Sequence, residues 1–158
     1  VINVVSGKLA GHKVALDRLQ APAQRYSGSA AFARCKRALT VLTQVWAEAW
    51  AAKGIVVNAV QPGWTDTPGV KRTLQGWHSI FRGVLRDPEQ GADTAVWLAV
   101  ATEAGKVSGQ LFPDREPRTA RLLHAQREHA GARDRLLAYL AGLTAAGIAG
   151  TAQEDNVQ

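Results

Sequence analysis

The stretch YSGSAAFARCKRALT, residues 26–40, decides the reading of this 158-residue chain. Ser29 is placed to act as an N-cap, and a long helix is predicted from there through about Ala52. Leu39, Leu42, Trp46 and Trp50 recur at steps of three and four and form one apolar stripe, while Val41, Val45 and Ala49 form a second. A helix that is apolar on two sides needs two partners. One is a sheet; the other is either another helix or another subunit. Near the helix start, Phe32 and Lys36 are four residues apart and share a face. Cys35 points about 100° away from Lys36.

Working outward, residues 1–5 (VINVV) predict a short buried strand ended by Ser6-Gly7, followed by a polar loop over 8–28. On the other side, Gly54 is the predicted C-cap, and residues 55–60 (IVVNAV) predict a second strand apolar on both faces. Pro62-Gly63 breaks that strand, and residues 64–86 predict a long loop with short helical turns. Asp87-Pro88-Glu89-Gln90 is a helix start, with Asp at the N-cap, Pro at N1 and Gln at N3; the helix is predicted to run to near Glu103. Residues 109–112 predict a short third strand. Residues 118–143 predict a basic amphipathic helix broken at Gly131, and residues 144–158 a flexible tail. Strand, helix, strand, helix, strand is an α/β alternation. It implies a parallel sheet of about three strands with flanking helices, in one domain over 1–143.

The 19 Lys and Arg residues against 13 Asp and Glu give a net charge of +6. Arginines gather toward the C-terminus, but Asp114, Glu116, Glu128 and Asp134 are interspersed and no aromatic stacking platform accompanies them, so nucleic acid is not an expected partner. No apolar run approaches the roughly 18–20 residues of a membrane span, and no basic-then-apolar leader is present, so a cytoplasmic location without a membrane partner is expected. Cys35 is the only cysteine, which excludes an internal disulfide. Asp17, Asp66 and Asp93 do not form a metal-like cluster, and no metal is expected. The chain contains no Met and begins inside an apolar run, which leads to the expectation of a missing upstream part.

Four pieces in order carry a family resemblance. They are Asn3-Val4-Val5-Ser6; Phe32-Ala33-Arg34-Cys35-Lys36-Arg37-Ala38; Val57-Asn58-Ala59-Val60-Gln61-Pro62-Gly63-Trp64-Thr65-Asp66-Thr67-Pro68; and residues 88–101 with 109–112. Together they resemble the C-terminal half of a short-chain dehydrogenase/reductase, over roughly residues 1–114. The resemblance implies the C-terminal part of a Rossmann-like doubly wound sheet. The loop that includes Leu16-Asp17-Arg18-Leu19-Gln20 is similar to the insertion of the retinol-dehydrogenase-like members. The family's N-terminal half, with its Gly-rich pyrophosphate turn, has no counterpart here, because no G-x-G-x-x-G-like stretch occurs.

The resemblance also implies roles. Ser6 would hydrogen-bond the substrate oxygen, and Lys36 would bind the nicotinamide ribose. Pro62, Gly63 and Thr67 would contact the nicotinamide half of NAD or NADP. Phe32 stands where the family has its catalytic Tyr. A phenol can give a proton to a substrate oxygen, whereas a phenyl ring cannot, and general acid–base catalysis is worth roughly 100- to 10,000-fold. Tyr26, six residues before Phe32, lies off the helical face, and His12 and His78 sit in loops with no evident partner. The expected function is that of an NAD(P)-dependent oxidoreductase acting on a small-molecule carbonyl or alcohol, a fragment with impaired or no activity as written. The alternative is a non-catalytic pseudoenzyme or homo-oligomer partner docking through helix 29–52.

Overall fold

The computed structural model describes residues 1–6, 16, 19, 26–73, 75–118 and 131–154. His12, most of the loop over 8–28, the helix predicted over 119–130 and the last four residues, 155–158, lie outside the described residues. Strands β1 (Ile2–Val4), β2 (Asn58–Val60), β3 (Leu111–Asp114) and β4 (Glu116–Arg118) form one sheet in the order β1-β2-β3-β4. The first three are parallel, with Val4 level with Val60 and Val60 level with Phe112. β4 turns back antiparallel on β3 and is a fourth strand beyond the three predicted. Glu-Pro-Arg carries no apolar alternation, and all three residues are exposed, so nothing local marks it as a strand.

β2 is buried along its whole length. Its one polar residue, Asn58, is 2% exposed because its amide is satisfied on both sides. It donates to the Val107 carbonyl at 2.8 Å and accepts from the Gln110 N–H at 3.0 Å. That side chain stitches the approach to β3 onto β2.

Helix α1 (Gly28–Ala49) crosses between β1 and β2. Ser27, in extended backbone, takes the N-cap position two residues before the predicted Ser29, without a side-chain capping bond. At the far end α1 tightens into the 3₁₀ turn Ala51–Lys53, which Gly54 closes in the left-handed region at φ 67°. One face of α1 meets the sheet, where Leu39 packs on Val5, Ala59 and Leu111. The other face meets helix α5 (Ala132–Glu154), where Ala38 and Leu42 close on the fully buried Leu136. Trp46, Val41, Leu137 and Leu140 pack around that contact, and Trp46 stacks on Trp50 with ring centroids 5.6 Å apart. The second partner of α1 is therefore another helix of the same chain. α5 begins after Gly131, which has φ 73°, and runs past Leu143 to Glu154.

The predicted loop over 64–86 holds two short helices, α2 (Pro68–Thr73) and α3 (Gln75–Phe81), and a 3₁₀ turn over Arg82–Val84. Helix α4 (Pro88–Val100) starts on the predicted capping box. The Asp87 carboxylate accepts from the Gln90 N–H at 2.7 Å, and the Gln90 side chain accepts from the Asp87 N–H at 3.1 Å. The helix stops at Val100, three residues before the predicted end.

Candidate functional site

The parallel register fixes where the candidate residues stand. Val4, Val60 and Phe112 are level, so Ser6, Pro62 and Asp114, each two residues further on, leave from the same C-terminal edge of the sheet. In α/β folds that edge is where ligands bind.

Lys36 reaches this edge from α1. Its ammonium donates to the Val4 carbonyl at 2.9 Å and lies 5.6 Å from the centroid of the Phe32 ring, within cation–π range. The helical step of four thus brings Phe32 and Lys36 together as the sequence implies. Phe32 is 47% exposed, so it is a ring on the surface of the site and not a core aromatic. An ammonium has three N–H donors; the Val4 carbonyl takes one, which leaves donors for a ligand's hydroxyl groups. Ser6 stands two residues past the end of β1 and is half-buried.

The second part of the edge is the loop after β2. Gly63 has φ 78°, a conformation that suits glycine. Close approach here is made by a side chain of the same chain: a Cβ on Gly63 would lie 3.2 Å from the Arg86 guanidinium. Arg86 also donates to the Pro62 carbonyl at 3.3 Å and pairs with Asp114 at 2.8 Å, and its hydrogen bond to the Asp114 carboxylate raises its pKa further. Backbone bonds from Arg86 N–H to Trp64 O and from Asp66 N–H to Arg86 O, both 2.8 Å, complete the clamp. Arg86 therefore ties the loop after β2 to the end of β3. Thr67 starts α2, its hydroxyl accepting from the Val70 N–H at 3.3 Å.

One residue before Thr67, Asp66 accepts from His78 at 2.8 Å and faces Lys71 at 3.4 Å. The hydrogen bond from His78, followed by the Lys71 ammonium, holds the Asp66 carboxyl below the usual aspartate range. His78, expected in a loop without a partner, stands instead on α3 and has Asp66 as its partner. Arg86 and the Asp66–His78 pair are the members of this region that sequence reasoning missed. Both depend on contacts between residues 12 to 28 positions apart. The charged pair at Arg86-Asp87, next to the helix start, is the one local mark of either.

The fit to a nicotinamide dinucleotide divides in two. Lys36, Pro62, Gly63 and Thr67 share one strand edge and offer cationic, carbonyl and hydroxyl groups suited to a ribose and a carboxamide. No Gly-rich turn is available for the pyrophosphate. Among the described residues no cluster of His, Cys, Asp and Glu could hold a metal ion.

Comparison with known proteins agrees with this geometry. Residues 8–113 match the family model described as enoyl-(acyl carrier protein) reductase. The human protein named dehydrogenase/reductase SDR family member 12 is 40% identical over 118 residues, which cover 74% of this chain and 37% of that protein. Human retinol dehydrogenase 13 is 31% identical over 127 residues, covering 71% of this chain and 36% of its own length. A solved short chain dehydrogenase/reductase family protein superposes with a TM-score of 0.51 at 27% identity, over 70% of this chain and 41% of its own. The chain thus spans little more than a third of the length of the curated relatives it matches. With residues 8–113 matching the family model and 74% of the chain aligned at 40% identity to a named member, the chain belongs to the short-chain dehydrogenase/reductase family.

Proposed function

We propose that this chain forms the nicotinamide-side half of an NAD(P)-dependent oxidoreductase acting on a carbonyl or alcohol, and that it is inactive by itself. The observation that carries the reading is the exposed Phe32 ring one helical turn from Lys36, with the Lys36 ammonium anchored on the last carbonyl of β1. When bound, the nicotinamide supplies or accepts a hydride. Lys36 would hold the adjoining ribose through its remaining N–H donors, and Thr67 and the Pro62-Gly63 backbone would flank the carboxamide. Ser6, at the end of β1, would donate to the substrate oxygen and orient it. A proton must also reach that oxygen, and the Phe32 ring has none to give.

The names of two human relatives, retinol dehydrogenase 13 and polyprenol dehydrogenase, support an apolar alcohol or its carbonyl as substrate class. A homo-oligomer docking through α1 would use the helix's outer face, and α5 covers Ala38 and Leu42 there, so α5 would have to shift.

Two measurements test the reading. The purified chain should show no NAD(P)H-dependent carbonyl reduction; turnover within tenfold of an intact family member would overturn the claim of inactivity. Nicotinamide mononucleotide, titrated in an amide NMR experiment, should shift resonances around Lys36 and residues 62–67, and Lys36→Met should abolish the effect. No shift at either place would sink the cofactor assignment.

A further inference from the structure

Residues 67–86 contain no Asp or Glu, but include Lys71, Arg72, Arg82 and Arg86. Lys71 faces Asp66 and Arg86 pairs with Asp114. Among the described residues neither Arg72 nor Arg82 forms an ion pair, and both are exposed. Alongside these cations the segment turns aliphatic side chains outward. Ile80 is 77% exposed and Val84, four residues on, is 79% exposed, with Phe81 between them at 41%. Asp66 pins the segment through Lys71 of α2 and the half-buried His78 of α3.

We propose that this ridge docks on an anionic phospholipid surface. Short apolar side chains flanked by basic ones suit the boundary between acyl chains and phosphates, where the aliphatic tips enter and the guanidinium groups stay with the headgroups. Charge complementarity selects this occupant. Two cations with no ion-pair partner among the described residues, on a segment whose sequence holds no Asp or Glu, repel a second copy of the same segment. Its two most exposed side chains, Ile80 and Val84, are aliphatic, and the one described ring between them, Phe81, is the less exposed, so the ridge suits acyl chains better than stacked bases. The absence of a spanning run, from which the sequence leads to no membrane partner, bears only on crossing. Among the described residues no helix is long and apolar enough to cross, and a surface ridge needs none. The proposal does not depend on the oxidoreductase reading.

Co-sedimentation of the chain with phosphatidylcholine vesicles, with and without phosphatidylglycerol, tests it. The chain should pellet with the anionic vesicles and be released by salt. Each cation near an anionic surface is worth about fivefold in partitioning, so Arg72→Glu/Arg82→Glu should lose about 25-fold or more. Ile80→Ser/Val84→Ser should also weaken binding several-fold. Val100→Ser, at an equally exposed position (77%) on α4, should leave it unchanged. All these positions are exposed, and circular dichroism checks that each variant folds. No pelleting, equal binding to neutral vesicles, or binding indifferent to the Ile80→Ser/Val84→Ser pair would overturn the proposal. So would a concentration-dependent mass abolished by that pair, which would mean self-docking. RNA binding abolished by it, without vesicle binding, would mean a nucleic-acid face.

Discussion

Gly91 shows how tightly a single position can be fixed. It is buried in the first turn of α4, and a Cβ there would lie 2.5 Å from Thr65 Oγ1 and 2.7 Å from its Cγ2. Alanine would gain about 1 kcal/mol of helix propensity. Overpacking a filled site costs about 1–3 kcal/mol, and Thr65 is held in the bridge to Arg86, so the clash should win. Gly91→Ala should lower the urea midpoint without changing the slope, and an unchanged or raised midpoint would show that Thr65 can move aside. Only part of this scale was legible. The capping box of Asp87 and Gln90 is written in four consecutive residues and could be read directly. The burial of Thr40 and Thr43 on α1 could not. Each hydroxyl donates to the carbonyl four residues back, and Thr43 also accepts from the Asn3 side chain at 2.9 Å, so burial leaves no polar group unpaired. The Phe32–Lys36 pairing needed only the helix period.

At the scale of elements, α1 is the hub: it fills the sheet face through Leu39 and the α5 face through Ala38 and Leu42. The two stripes in its sequence announced two partners, but a stripe does not name its partner. The glycine- and alanine-rich stretch after residue 143 gave no sign that the helix continues. Leu136 is fully buried in the α1–α5 contact, so Leu136→Ala should destabilise the chain by about 2–5 kcal/mol in chemical unfolding. A loss under about 0.5 kcal/mol, the range of ordinary surface substitutions, would mean that α5 does not belong to the core in solution. The short helices α2 and α3 escaped prediction in detail because neither is long enough to show an apolar period. They are held from outside, by Asp66 and by the clamp at Arg86.

Across the whole molecule, the strand–helix alternation and the parallel order were legible because they follow from periodicity and connection rules. The antiparallel β4 and the ties between distant segments were not. Two such ties are carboxylates with lowered pKa. Asp66 is held by His78 and then Lys71, and Asp93 by a bidentate bond from Arg115 that joins α4 to the β3–β4 turn. A depressed carboxylate contributes stability above its unfolded value, near 3.8, and loses it as the pH falls through the folded value. Both ties should therefore hold at neutral pH and release below about pH 4. Hydrogen exchange at 66–81 and 93–115 should accelerate there more than in the core of β2. Uniform acceleration would show that neither tie opens locally. The contact of Leu42 with Leu136 has a consequence in time. At about 5–20 residues per second, the ribosome needs roughly 5–20 s to get from one to the other. Throughout that interval the outer face of α1 is an uncovered apolar surface on a nascent chain, so the moment of greatest exposure to chaperones and to neighbouring chains is set by how late α5 is made.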